Sequence, residues 1–240
     1  MWIFLFFILI YLIWQGGELL AFVARMIYYK KNQEQGLKLY KIAVKLGAMS
    51  INTKTTYGYL ALRHGHVEEA RKIVSEQLMK AKKQSEIVVA KSILALVYWK
   101  KGDIDRAIEL LEDVLKFGGN TVAYGSLGHM YNLRSNDLKT ALEVCKIAYD
   151  FNPKNDIITD NYATILYKIG DISLAKEIYK ELMKREPTFP EAYYTYAHLL
   201  IDEGDINDGI KQLKKATEAK YTFLTSLKLE DIEKEIREYE

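Results

Sequence analysis

The chain has 240 residues, 49% of them hydrophobic and 28% charged, with only three prolines, a balance that excludes disorder and points to helix. A formal net charge of +2 argues against a dedicated nucleic-acid binder. The single cysteine, Cys145, excludes an intramolecular disulfide and fits a reducing compartment.

The first element is MWIFLFFILIYLIW, Met1 to Trp14, which carries no charge. As a helix this run reaches roughly 21 Å, short of a hydrocarbon layer of about 30 Å. Only Glu18 is charged before Arg25, so a helix through residue 24 is expected to span, with Glu18 near a headgroup layer. Residues 1–24 therefore read as one transmembrane anchor. A cleaved secretory signal is an alternative that lacks its basic start and small-residue cleavage site. A buried core helix is another, though the run offers no polar face to solvent. Nothing basic precedes the run, whereas Arg25, Lys30, Lys31, Lys38, Lys41 and Lys45 follow it. The positive-inside rule then expects a single-pass membrane protein with its C-terminal part in the cytoplasm.

Beyond the run the chain repeats itself. GDIDRAIELLEDVL begins at Gly102, NDLKTALEVCKIAYDFNP at Asn136, GDISLAKEIYKELMKREP at Gly170 and GDINDGIKQLKKAT at Gly204. Five places after each start stands a small residue, and Ala107, Ala141, Ala175 and Gly209 are each 34 residues apart. Earlier counterparts are Ala70, 37 positions before Ala107, and Gly36, another 34 before that. The three extra residues fall in KAKKQSE, residues 80–86, a polar link. Six units result: 17–50, 51–87, 88–121, 122–155, 156–189 and 190–223. Periods of this length indicate solenoids, whose units bury their apolar faces on one another.

Each unit reads as two helices and a tight turn. In the fifth, Ile158, Tyr162, Ile165, Leu166 and Ile169 recur at spacings of three and four, which is one helical face. Gly170 and Asp171 break the pattern, the first suited to a left-handed helix end and the second to capping the next helix. Ile172, Ala175, Ile178, Tyr179 and Leu182 line the second helix, and Pro187 ends the unit. Ala163 and Ala175 mark the expected helix crossing, where a larger side chain would wedge the pair apart. At the far end, residues 224–240 hold a capping helix with Leu229, Ile232, Ile236 and Tyr239 on one side, the alternative being a partner-binding tail.

This pattern resembles the tetratricopeptide repeat family, whose unit is a helix-turn-helix of 34 residues. YGSLGHMY, residues 124–131, matches its first-helix signature through Leu127, Gly128 and Tyr131. YGYLALRHGHVEEA, residues 57–70, supplies Gly58, Gly65 and Ala70, and the first unit keeps Ala24, Gly36, Tyr40 and Ala43. Departures are Gly209 in place of alanine and Tyr221 where proline often stands. The resemblance covers residues 17–223. It implies an all-α fold: a right-handed superhelical solenoid of about six repeats, preceded by the transmembrane helix and closed by the cap. It also implies a concave groove, lined by first helices, that binds a protein or peptide partner. Carried over position by position, the groove residues are Tyr59, Arg63, Leu96, Trp99, Lys100, His129, Tyr167, Lys168, Tyr194 and His198. Aromatics beside basic groups suit extended peptides with acidic or aromatic side chains. Family members that bind chaperone tails resemble one another in a Lys and an Asn on one first helix and further basic or amide groups on the next, where this chain has Gly125 with His129 and Asp160 with Thr164, so that ligand is disfavoured.

Catalytic signals are missing. No glycine-rich phosphate loop occurs, Cys145 sits where a helix contact is expected, and His64 and His66 flank a turn glycine without metal-spaced partners. The expectation is a non-enzymatic, membrane-anchored scaffold without catalytic residues, cofactor, metal or nucleic acid, recruiting a protein or peptide partner. A structural subunit of a membrane complex and a peptide-sensing regulator are the alternatives.

Overall fold

Apolar residues at helical spacing, interrupted by Gly-Asp pairs, give an all-α chain. The computed structural model describes residues 2–47, 49–134 and 137–239, with side chains from residue 16 onward. Asn136, the start of one repeated motif, lies outside the described residues. Among the described residues there are thirteen helices and no strand. They are α1 (Trp2–Lys30), α2 (Gln33–Leu46), α3 (Ile51–Arg63), α4 (Val67–Lys80), α5 (Gln84–Lys100), α6 (Ile104–Leu115) and α7 (Thr121–Arg134). There follow α8 (Leu138–Phe151), α9 (Asp156–Lys168), α10 (Ile172–Met183), α11 (Pro190–Asp202), α12 (Ile206–Glu218) and α13 (Leu229–Tyr239).

The chain divides into two compact units, residues Met1–Val97 and Tyr98–Glu240. In the first, α1 packs on α2, α2 touches α3, and α3 packs on α4. The crossings are too close for side chains. A Cβ on Gly36 would lie 2.5 Å from the Cα of Tyr28, and one on Gly58 would lie 2.6 Å from Val74 Cγ2. Tyr40 and Tyr57 stack at 5.4 Å between ring centroids, and both are buried.

Here the structure corrects the expected extent of the membrane anchor. Among the described residues, no helix is long and apolar enough to cross a membrane. The side chains of the apolar run Met1–Trp14 lie outside the described residues, but residues 17–24, which the expectation counted toward the span, pack against protein. A Cβ on Gly17 would come 2.1 Å from the Gly47 carbonyl oxygen, and Ala21 and Ala24 are buried. Glu18, expected at a headgroup layer, instead accepts hydrogen bonds from Ser50 Oγ (3.0 Å) and Thr53 Oγ1 (2.7 Å) at the start of α3. A 29-residue helix thus spends its second half as the first helix of a hairpin.

In the second unit, α7 packs on α8, α9 on α10 and α11 on α12, while α7 touches α9 and α9 touches α11. The first helices of successive hairpins therefore lie side by side. The turns carry what the Gly-Asp pairs promised: Gly102, Gly170 and Gly204 have φ between +87° and +89°, and Asp103 and Asp171 accept from Arg106 N and Leu174 N. Ala107, Ala141 and Ala175 are wholly buried. The central core gathers Ala141, Cys145, Tyr162, Ala163, Ala175 and Tyr179. Behind it Tyr193, Ala197, Leu213 and Ala216 form a second cluster, which Ile232 and Ile236 of α13 close.

Placing a carboxylate at a crossing should be costly. Ala175→Glu is expected to lose about 3 kcal/mol or more through overpacking and charge burial, lowering the melting temperature by roughly 6–12 °C. Lys180→Gln, on the exposed side of the same helix, should leave it unchanged. Thermal melts followed by circular dichroism make the comparison, and equal values would refute this crossing.

Candidate partner-binding face

The first helices α7, α9 and α11 place a column of polar side chains on one side of the second unit. Neighbouring helices are laced by amides. Asn161 Nδ2 donates to the Gly125 carbonyl at 2.8 Å, Asn132 Nδ2 donates to the Asn161 carbonyl at 2.9 Å, and Lys168 Nζ donates to the Asn132 carbonyl at 2.6 Å. Gly128 lets the two helices approach, since a Cβ there would already meet Asn161 Nδ2 and Cys145 Sγ at 3.3 Å.

Of the ten residues expected in the groove, three come together. Trp99 and His129 pack edge to face with ring centroids 5.1 Å apart, and Lys100 Nζ lies 4.3 Å from the centre of the Trp99 ring. Tyr194 and His198 form a second pair, 4.5 Å between centroids, with Glu235 of α13 placed 3.1 Å from His198 Nε2. Tyr167 is tied to Asp202 by a hydrogen bond from its hydroxyl. Lys168 is engaged by Asn132, as described above. Tyr59 and Arg63 belong to the first unit, where the guanidinium lies 5.9 Å from the ring centre. Leu96 is a core residue, 6% exposed, and does not reach the surface.

The structure adds groups outside the ten expected in the groove. Asp160 is buried and accepts from Tyr179 Oη at 3.0 Å, and that phenol also lies 2.9 Å from Thr164 Oγ1. Glu191, in the first turn of α11, accepts from the backbone N–H of Ser226 at 2.7 Å. Ser226 Oγ is within hydrogen-bonding distance of His129 Nε2, 2.9 Å. Lys100 Nζ donates to the carbonyl of Thr225 at 3.3 Å and stands 5.1 Å from the ring centre of Phe223. The loop joining α12 to α13 therefore lies across Trp99, Lys100, His129 and Glu191. Asp160 and Glu191 sit at ordinary helical positions, and only the tertiary arrangement makes them neighbours of this cluster.

Burial dominates the protonation of these groups. It pushes the Asp160 carboxyl up to about 8, with help from nearby Glu191, and raises Glu191. Burial, then Lys100 and Lys168, push His129 down to about 4, leaving a neutral imidazole at pH 7. Both lysines are themselves lowered by burial. Cys145, raised to about 12 by burial, is an inert thiol that lies 3.7 Å from the Gly128 carbonyl. His64, in the first unit, lies 3.1 Å from Tyr28 Oη. Among the described residues, no group of His, Cys, Asp and Glu is arranged to hold a metal ion.

Comparison with known proteins bears on the fold. Residues 90–117 and residues 170–222 match models of the tetratricopeptide repeat. A tetratricopeptide repeat protein from Parabacteroides merdae superposes with a TM-score of 0.69 at 14% identity, over 94% of this chain and 84% of that one. A thermophilic repeat protein of the same kind from Thermus thermophilus gives 0.62 at 19% identity, over 79% and 98%. No curated protein matches the sequence significantly. Tetratricopeptide repeats are thus present in an all-α repeat fold.

Asp160 gives the face a pH dependence whose sign can be stated. Its folded pKa lies above its ordinary 3.8, so its contribution is complete below that value and is lost as pH rises through about 8. His129 acts oppositely, losing stability as pH falls from 6.5 toward 4. Asp160→Asn keeps an acceptor for Tyr179 and removes the titration. Its melting temperature relative to wild type should rise by about 10 °C between pH 5 and pH 8.5. A difference that stays constant across pH would show that Asp160 does not titrate in this window.

Proposed function

We propose that this chain, a carrier of tetratricopeptide repeats, is a non-enzymatic scaffold that binds a protein or peptide partner across the first helices of its second unit. One observation carries the reading. Lys100, His129 and Glu191 hold a carbonyl, a hydroxyl and an N–H of a short peptide segment, Thr225–Ser226. Two of these contacts are to backbone, which every peptide offers, and the third is to a hydroxyl. The rings of Trp99 and Phe223, with centres 4.3 and 5.1 Å from the Lys100 ammonium, add contact area at low entropic cost.

The chemistry of the face argues against catalysis. Ser226 beside His129 has the spacing of a nucleophile and its base, but such a base needs an acid that stabilises the imidazolium. His129 has two lysines nearby instead, which disfavour that charge.

We further propose that the run Met1–Trp14 seats the chain in a membrane and leaves the repeats in the cytoplasm, so that recruitment gains from confinement near the bilayer. The support is the absence of any charge before Glu18 and the basic residues from Arg25 onward. Glu18 itself is held by Ser50 and Thr53, so the inserted part stops short of it. The run Met1–Trp14 reaches roughly 21 Å as a helix, so local thinning of the bilayer must accommodate the mismatch.

Crosslinked pull-down from detergent-solubilised membranes tests both parts. The variant Lys100→Glu/His129→Ala should recover its partners at least about tenfold less well than wild type, the effect of one hot-spot contact. Partners that persist at wild-type levels would reject the face as the binding surface and favour a structural subunit. Release of the chain from membranes by alkaline carbonate would reject the anchor.

A further inference from the structure

The loop between α12 and α13 is held more specifically than a connection requires. Its first residues are tied back: the Lys220 N–H donates to the Thr188 carbonyl at 2.8 Å, and Tyr221 Oη donates to the Ala216 carbonyl at 3.2 Å. The next four form a closed turn. The Thr225 N–H donates to the Thr222 carbonyl at 3.0 Å, the Thr222 N–H donates to Thr225 Oγ1 at 3.0 Å, and the Leu224 N–H donates to Thr222 Oγ1 at 3.2 Å. The turn then presents Phe223 to Lys100, the Thr225 carbonyl to the same ammonium, and Ser226 to His129 and Glu191.

We infer that Thr222–Ser226 is an intramolecular ligand of this face, and that the partner is a short uncharged turn of the same chemistry, an aromatic followed by hydroxyl residues, which must displace it. This rests on the proposed use of the face for partner binding. Two observations make the segment a removable occupant rather than part of the core. None of residues 221–228 is buried, and Phe223 remains 40% exposed. The apolar attachments flank it, since Tyr221 and Leu227 pack against the cluster that Ile232 and Ile236 of α13 enter, so the turn between them can lift while α13 stays docked. A segment with no buried residue, held mainly by polar contacts, belongs to the low-stability end of a structure. Tethered at both ends by a loop of ten residues, 219–228, it competes at an effective concentration in the millimolar range. An incoming peptide therefore binds with an affinity reduced by the fraction of molecules whose face is open.

The face also restricts what replaces the turn. Glu191 accepts the Ser226 N–H and is unfavourable to a carboxylate in its place, while Lys100 lies close to two rings. Neutral His129 meets a hydroxyl without demanding charge. An aromatic, a carbonyl and a hydroxyl are thus the three features read.

The test uses the full chain in detergent and a terminally blocked, fluorescein-labelled peptide of sequence YTFLTSL, residues 221–227. Phe223→Ala/Ser226→Ala in the chain weakens the internal turn at two exposed positions, leaving the core untouched. By fluorescence anisotropy this variant should bind the peptide on the order of tenfold more tightly than wild type. Adding His129→Ala should remove the binding, and a peptide with alanine at its Phe and Ser positions should bind neither chain. Equal affinity for wild type and the released variant would overturn the inference, as would failure of the released variant to bind. In either of those cases, loss of partners from Lys100→Glu/His129→Ala in the pull-down would leave the binding face standing and reject only the internal ligand.

Discussion

Close approach of two helical backbones is the constraint on which the other features depend. Where Gly36 meets Tyr28, Gly58 meets Val74 and Gly209 meets the Ala197 carbonyl, a single added carbon would fall within about 3 Å of its neighbour. Ala70, Ala107, Ala141 and Ala175 are wholly buried at the corresponding places in their own hairpins. Cores are packed too densely to absorb extra volume, so the small residue sets how tightly each hairpin closes. Between hairpins of the second unit, Gly128 sets a similar limit, since a Cβ there would meet Asn161 of α9 at 3.3 Å.

The same closeness explains the polar chemistry of the face. Helices that approach so tightly bring backbone carbonyls within reach of a neighbour's side chain, and Asn132, Asn161 and Lys168 each use one. Asp160 is accepted in the interior because it is largely protonated there and keeps the Tyr179 hydroxyl as a partner. Lys100, Glu191 and His129 are partly enclosed yet point at a segment of the chain itself. A face that satisfies its polar groups in this way has a defined resting state, and any other occupant must offer equivalent donors and acceptors.

The first helix joins two environments. From Gly17 onward α1 behaves as half of a hairpin, with Ala21 and Ala24 buried and Glu18 bonded to Ser50 and Thr53. Along its outer side Leu19, Phe22, Val23, Met26 and Tyr29 are exposed, a stripe at spacings of three and four that continues the apolar character of the residues before it. Because the helix runs unbroken from Trp2 to Lys30, whatever holds its apolar start is coupled without a flexible link to the first hairpin.

Much of this was legible in the sequence. The spacing of Ala107, Ala141, Ala175 and Gly209 reports the hairpin repeat because only small residues fit a crossing, and the Gly-Asp pairs report its turns through positive φ and capping. The amphipathic spacing of Ile232 and Ile236 marked the last helix for the same local reason. Register along a helix also brought Trp99, Lys100 and His129 to one face. Hydropathy alone could not tell that residues 17–24 turn from lipid-like to core, since alanine and leucine serve both, and the contact with α2 decided it. Nor could it show that Leu96 faces inward, that Asp160 and Glu191 become neighbours, or that Phe223 and Ser226 lie on the face. Local sequence determines periodicity, caps and steric limits within a few turns. Contacts between residues as distant as Lys100 and Thr225 depend on how whole hairpins stack, and only the tertiary structure decides that.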